Sequence, residues 1–329
     1  MGKHNPNGRY DAAEASYIEN VSGGRFDAYA SAFLARELAY IRTRVLEVEK
    51  APLKAFEVFP VQTDVPPGAA SAIQRIYDTM GVAKIIANYA DDLPRADVAG
   101  QEISVPVVTV GDSYGYNVVE IEHAQFSGVN LSEYKARAAR RAIDRKIDDM
   151  AWNGDSAHGI VGFLNNPNLT QVVIKADGNS NGGVNSTRFI HKTSEQIIRD
   201  VNELINAIDI ATNNVEFPDT ILLPTAAYDY MVMTPRSQYT DMTILGFLRE
   251  VHPDIRFMKV GELNGAAADG SDLMVAGRFT PEVIRLEIPE RLRQLPVEKR
   301  NLEYVVDCIS RVIGVTITIP LAFSKAAGV

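Results

Sequence analysis

The stretch Ala151–Pro167, A-W-N-G-D-S-A-H-G-I-V-G-F-L-N-N-P, begins where a long, charged helical pattern stops, and it places Asp155, Ser156 and His158 within four residues. Either these three form a compressed catalytic triad or the segment only turns the chain. Triads gather from distant parts of a fold because the three groups need one fixed line of hydrogen bonds. No G-x-S-x-G elbow is present to expose Ser156 as a nucleophile. Polar turn residues are therefore expected, with Gly154 stopping the helix and Gly159 and Gly162 letting backbone pass close to its neighbours.

Upstream lies the strongest helical signal in the chain, N-L-S-E-Y-K-A-R-A-A-R-R-A-I-D-R-K-I-D-D-M-A-W-N-G, with Asn130 and Glu133 spaced as a relative of the capping box. Ala136, Ala139, Ile143, Ile147 and Met150 make a narrow apolar stripe, and Arg137, Arg140, Arg141, Asp144, Arg145 and Asp148 take the remaining surface. Such a helix lies across a sheet on one side and meets solvent or a neighbour on the other. Asp148 and Asp149 sit where the helix dipole disfavours negative charge, so basic partners are expected beside them.

Downstream, L-T-Q-V-V-I-K is expected to pair with a strand near Thr187 across the polar tip A-D-G-N-S-N-G-G-V-N-S. An α/β region follows. Thr193, Ser194 and Gln196 start a helix whose Ile197, Val201, Leu204, Ile205 and Ile208 point inward, and F-P-D-T-I-L-L-P reads as a buried strand. T-A-A-Y-D-Y-M-V-M and T-I-L-G-F-L-R-E read as helices, I-R-F-M-K-V and D-L-M-V-A-G-R as strands. The chain then returns through E-Y-V-V-D-C-I-S-R-V-I-G-V-T-I-T-I-P, kinked at Gly314, toward the long helix.

Ahead of that helix, A-F-E-V-F-P-V-Q, E-I-S-V-P-V-V-T-V-G and Y-N-V-V-E-I-E-H-A read as strands. Asp64 to Gly100 mixes prolines, glycines and the charges Asp91, Asp92 and Arg95, the pattern of an extended excursion that touches a partner or covers a site. Residues 1–24 read as a flexible arm, and Leu34, Leu38, Ile41, Val45 and Val48 form an amphipathic stripe that must bury itself on this subunit or on another.

Composition excludes several functions. The 329 residues are 46% hydrophobic, ample for a core, and the net charge of −9 argues against a broad basic face for nucleic acid. Cys308 is the only cysteine, which rules out an intrachain disulfide or a cysteine-based metal site. His4, His123, His158, His191 and His252 are scattered, so no metal site is expected; Asp91–Asp92 and Asp148–Asp149 are adjacent pairs that diverge on regular elements. The glycine-rich tip lacks the Lys-Ser/Thr of a phosphate loop, so no cofactor is expected. M-G-K-H-N-P-N-G has no apolar core for export, and Tyr304–Phe323 carries Asp307 and Arg311, which makes it a poor membrane span.

The order of these parts resembles the major capsid proteins of tailed phages with the Hong Kong 97-like fold. The likeness rests on A-W-N-G-D-S-A-H-G-I-V-G-F-L-N-N-P, on F-P-D-T-I-L-L-P-T-A-A-Y-D-Y-M, on R-V-I-G-V-T-I-T-I-P-L-A-F and on A-K-I-I-A-N-Y-A-D-D-L-P-R-A-D-V. It implies an α+β capsid fold: an N-terminal arm and helix over residues 1–54, peripheral-domain strands over 55–125 with an extended loop at about 64–100, a spine helix with its loop and strands over 126–190, an α/β axial domain over 191–300, and closing peripheral strands over 301–329. It further implies a structural protein without catalytic residues, assembled in the host cytoplasm and resident in the virion.

Its partners would be copies of itself in pentamers and hexamers, portal, scaffolding or decoration proteins, and packaged DNA held without sequence preference. Lys84, Asp91, Asp92, Arg95, Arg140, Arg141 and Arg145 are the candidate inter-subunit contacts. Some relatives crosslink through a lysine of the extended loop; Lys84 is the only lysine between Asp64 and Gly100, and no partner for it is evident. Only a short arm precedes the first helix, so scaffolding is expected from a separate protein or not at all. An encapsulin-type nanocompartment shell is the alternative on the same fold, and a hydrolase built on Asp155, Ser156 and His158 is the alternative of another class.

Overall fold

A computed structural model describes residues 51–80, 97–120, 131–179 and 185–329. The arm, the stripe from Leu34 to Val48, the helix cap Asn130 and the candidates Lys84, Asp91, Asp92 and Arg95 lie outside the described residues. The chain enters through a one-turn helix α1 (Ala55–Val58) and a short strand β1 (Val61–Gln62). Strands β2 (Ser71–Met80) and β3 (Asp97–Pro106) come next, followed by β4 (Val108–Asn117) and the long helix α2 (Leu131–Trp152).

Short strands β5 (Gly154–Asp155), β6 (Ile160–Val161), β7 (Thr170–Val173), β8 (Gly178–Asn179) and β9 (Asn185–Ser186) then lead to α3 (Ser194–Ala211). Strand β10 (Thr220–Leu223), helices α4 (Thr225–Met233) and α5 (Ile244–Val251), and strands β11 (Arg256–Lys259) and β12 (Leu273–Gly277) continue the α/β region. The remainder is β13 (Ile284–Glu287), β14 (Glu290–Gln294), β15 (Glu298–Arg300), β16 (Glu303–Val312), β17 (Gly314–Ile317) and β18 (Phe323–Ala327).

A five-stranded mixed sheet in the order β11-β10-β12-β18-β7 joins two cores. Because side chains alternate along a strand, β10 sends Ile221 and Leu223 to one face and Leu222 to the other. The first face packs on α3, α4 and α5 through Leu204, Ile208, Met231 and Leu248; the second joins Ile143, Ile147 and Met150 of α2. Strands buried on both faces read as unbroken apolar runs, which is why T-I-L-L and L-M-V-A-G carry no alternation. In the core on the long-helix side five rings meet: Phe59 lies 4.8 Å from Trp152 and 5.3 Å from Phe163, and Phe163 lies 5.8 Å from Phe279 and 5.4 Å from Phe323. Gly277 is required beside them, since a Cβ there would stand 2.1 Å from the Phe323 ring.

Local signals hold where both partners are close in sequence. Helix α3 starts with a capping box: the Thr193 hydroxyl accepts from the Gln196 N–H and the Gln196 carboxamide accepts from the Thr193 N–H. Behind that cap Lys192, fully buried, pairs with Asp200, and Arg199 bridges Asp200 and Asp177 at 2.6 and 2.7 Å.

Elsewhere the structure departs from expectation. A-F-E-V-F-P-V-Q forms α1 and a two-residue strand, because the N–H of Ala55 is taken by the Asp148 carboxylate at 2.8 Å and not by a sheet partner. The strand within L-T-Q-V-V-I-K does not pair near Thr187; β7 lies parallel to β18, and β9 pairs with β8. The return segment does rejoin the long helix, for Cys308 and Val312 enter its core, but β18 lies in the five-stranded sheet.

Phe163 is fully buried at the junction of the rings. Phe163→Ala should cost about 3–5 kcal/mol of stability, as expected for a large-to-small change in a close-packed core. Denaturant unfolding followed by the fluorescence of Trp152, the single tryptophan, would measure it.

Candidate inter-subunit contact surfaces

The turn after α2 resolves the question of the triad. Asp155 caps the 3-10 turn Ser156–His158 by accepting the Ala157 N–H at 3.1 Å, and its other oxygen meets His158 Nδ1 at 3.0 Å. The carboxyl and the imidazole are thus used to fold one exposed turn, and the hydrogen bond from His158 holds the Asp155 carboxyl below the usual carboxylate range. Gly159 adopts φ +71°, a left-handed turn with no close neighbour. The close approach is between Gly154 and Gly162, where a Cβ on either would stand 2.3 Å from backbone of the other. That contact reverses the chain from α2 onto the aromatic seam.

Helix α2 runs for 22 residues, about 33 Å at the usual rise per residue. Ala139, Ile143, Ile147 and Met150 are buried as the stripe requires. Of the candidates on its outer side, Arg140 and Arg145 are exposed and Arg141 is half-buried. Arg140 reaches Asp144 at 3.8 Å, a weak surface pair. Beneath it a groove of ≈ 460 Å³ runs between α2 and the β14 edge, lined by Phe56, Val61, Ile147, Arg291 and Leu292. Burial raises the Asp144 carboxyl against the pull of Arg140 and Arg291.

The acidic end of α2 differs from the sequence expectation. Asp149 has its basic partner, Lys146 at 3.7 Å. Asp148 has none among the described residues; it is buried and accepts the Ala55 N–H, so it fastens the incoming chain to the long helix. Burial pushes its carboxyl up to about 6, with the Glu262 and Asp149 charges acting in the same direction and the Ala55 N–H opposing. No periodicity could have marked this residue, because its partner lies 93 positions away.

Strands β2 and β3 form a ribbon paired in register from Ser71↔Pro106 to Met80↔Asp97, and among the described residues neither strand joins a larger sheet. Its root is tied by Gln74 Nε2 donating to Thr318 Oγ1 at 3.0 Å and by Arg311 donating to the Pro67 carbonyl. Above the root, Ile73 is exposed and Arg75 pairs with Glu102 at 2.8 Å. An isolated two-stranded ribbon is marginal in water, so this one needs a surface to lie on. Among the described residues no three His, Cys, Asp or Glu side chains are placed to hold a metal, and no helix is long and apolar enough to cross a membrane.

Residues 81–329 match the family described as major capsid protein. The chain belongs to this family. The capsid protein of Myoviridae phage XM1 is similar in structure at a TM-score of 0.75 and 18% identity, covering 90% of this chain and 98% of that one. The capsid of an empty GTA particle computed with C5 symmetry gives 0.60 at 13% identity over 87% and 93% of the two chains. A virus-like particle from Pyrococcus furiosus gives 0.52 at 13% identity over 92% and 98%. No curated protein matches the sequence. The capsid protein thus has the Hong Kong 97-like fold, is structural and not enzymatic, and is a component of the virion capsid.

The elevated Asp148 carboxyl gives a pH signature. The folded chain holds this proton more tightly than an unfolded aspartate with the ordinary value of 3.8, so stability falls as pH rises from about 4 through about 6. Asp148→Asn should flatten that part of the melting-temperature profile relative to the wild type, and parallel profiles would remove Asp148 as the cause.

Proposed function

We propose that this capsid protein builds its shell by head-to-tail contacts that close into five- and six-membered rings, which tile an icosahedron around double-stranded DNA. The observation that carries this is the ribbon β2–β3, two strands of ten residues each without a sheet to complete them in their own subunit among the described residues. In an assembled shell it would be the extended loop, lying over the adjacent subunit and placing Lys84, Asp91, Asp92 and Arg95 at charged contacts there. Helix α2 would be the spine, with Arg140, Arg141 and Arg145 toward neighbours, and the layer of α3, α4 and α5 on the five-stranded sheet would be the axial domain. The C5 symmetry of the structurally similar GTA capsid supports the five-membered ring.

Each contact between subunits can be modest. Interfaces of roughly 1,000 to 2,000 Å², the usual range for specific contacts, accumulate when every subunit makes several. The net charge of −9 suits a container whose DNA must later leave, because it holds phosphate weakly. Portal, scaffolding or decoration proteins would be the other partners, met in the host cytoplasm during assembly. A nanocompartment shell is the second reading, supported by the likeness to a virus-like particle; its lumen would hold a protein and not DNA.

Negative-stain electron microscopy with size-exclusion chromatography tests the shell directly, and the contents of closed particles separate genome from cargo. The two ends of the ribbon already meet, since Val107 N–H donates to the Ala70 carbonyl at 3.0 Å. Replacing residues 71–106 with a short glycine linker should therefore leave a folded monomer or small oligomer. Intact shells from that variant would overturn the role given to the ribbon.

A further inference from the structure

Two apolar features sit at opposite ends of helix α3, each with large apolar side chains left exposed among the described residues. At the C-terminal end the turn into β10 holds Ile210, Val215 and Phe217 out to solvent, at 78%, 70% and 58% exposure. The turn is fixed, with Asn213 and Asn214 both left-handed at φ 52° and 61° and the Asn214 N–H donating to the Asp209 carbonyl at 2.8 Å. At the N-terminal end a cavity of ≈ 220 Å³ opens between α4 and the residues that precede the α3 cap, lined by Phe189, Ile190, Ala227, Tyr230 and Met233. Ile190 and Met233 at its mouth are 61% and 81% exposed.

The separation follows from the topology. Helix α3 has 18 residues, about 27 Å of rise. The exposed turn feeds the start of β10, whereas α4 leaves from the end of β10. Val329, which also lines the cavity, follows β18, and β18 runs in the same direction as β10 because each is antiparallel to β12.

Charge agrees with shape. Beside the exposed turn, Asp209 is half-buried and has no ion pair among the described residues; its Oδ1 is buried without a hydrogen bond, so only its other carboxylate oxygen can face a neighbour. Beside the cavity, Arg188 is exposed and no carboxylate among the described residues pairs with it. A knob with an unmatched acid at one end and a hole with an unmatched base at the other are the two halves of a heterologous contact, the kind that repeats from copy to copy until a ring closes.

We propose that the Ile210–Val215–Phe217 knob of one copy seats in the cavity between α4 and Ile190 of the next, Phe217 entering and Asp209 meeting Arg188. This rests on the self-assembly reading above and adds the residues that make one of its contacts. Phe217 is the anchor: it is large, aromatic and held on a fixed turn, so losing it should weaken the contact about thirtyfold or more, as central aromatic anchors do.

The test uses the full chain in four preparations: wild type, Phe217→Asp, Ala226→Trp to plug the exposed mouth, and an equal mixture of the two variants. Each variant alone should lose assembled particles while keeping the wild-type melting temperature. The mixture should recover the seat only between unlike variants, since the intact knob of one meets the intact hole of the other, and should form mixed pairs without closed particles. In a fifth preparation, Val215→Cys with Ile190→Cys, a short thiol crosslinker should link subunits into a ladder while buried Cys308 stays unreacted, and neither single cysteine variant should give the ladder. Wild-type particles that tolerate Phe217→Asp at full yield, or assembled double-cysteine chains that give no ladder, would overturn the seat and leave self-assembly standing. A wild-type chain that forms no particles, alone or with its neighbouring genes, would overturn self-assembly and the seat with it.

Discussion

Five aromatic rings drawn from five separate places in the chain meet in the core that the long helix shares with one face of the five-stranded sheet. Phe59 brings the entering segment, Trp152 the end of the long helix, Phe163 the reversed turn, Phe279 the loop after β12, and Phe323 the five-stranded sheet. Edge-to-face and tilted geometry gives each pair a modest gain beyond the area it buries. The larger effect is positional: the long helix and the α/β layer are fixed relative to each other by a packed nucleus and not by a linker. Surfaces on the two regions therefore keep a constant angle, which a subunit needs if its contacts are to close a ring.

The tight points around that nucleus are backbone contacts. Gly154 and Gly162 touch where any Cβ would collide, and Gly277 lies under the Phe323 ring. Asp148 ties the entering chain to the helix through one hydrogen bond to Ala55, and Lys192, Arg199, Asp177 and Asp200 tie the start of α3 to the preceding loop. Polar groups hold the junctions; apolar groups fill the space between them.

The sequence revealed what depends on neighbours in the chain. The stripe of α2, the capping box of α3, the helix T-A-A-Y-D-Y-M-V-M and the strand T-I-L-L are legible because periodicity and caps act over a few residues. The family was legible in the same stretches, the turn after α2 above all. The segment around Ala55 was misread as a strand because its hydrogen-bond partner, Asp148, is remote, and the pairing of β7 with β18 joins residues as far apart as Thr170 and Ser324. For the candidate contacts, three arginines of one helix face were indistinguishable in sequence, yet Arg141 is half-buried while Arg140 and Arg145 are exposed, a difference that only packing decides. Phe217 read as the first residue of a buried strand, yet the strand starts at Thr220 and Phe217 is exposed, and the cavity at Ile190 had no local signature, since α4 and Val329 complete it from afar.

Strand β18 sits inside the five-stranded sheet, between β12 and β7, although it follows every other strand of that sheet in the chain. During synthesis β7, β10, β11 and β12 leave the ribosome with a vacant place among them, and β7 has no route into the sheet until β18 arrives. Phe323 completes the ring cluster at the same moment. A chain that stops before β18 thus lacks both a strand inside its sheet and the Phe323 ring of the aromatic cluster. The order of strands makes the sheet depend on its last-synthesised member: without β18, β7 and β12 have no strand between them.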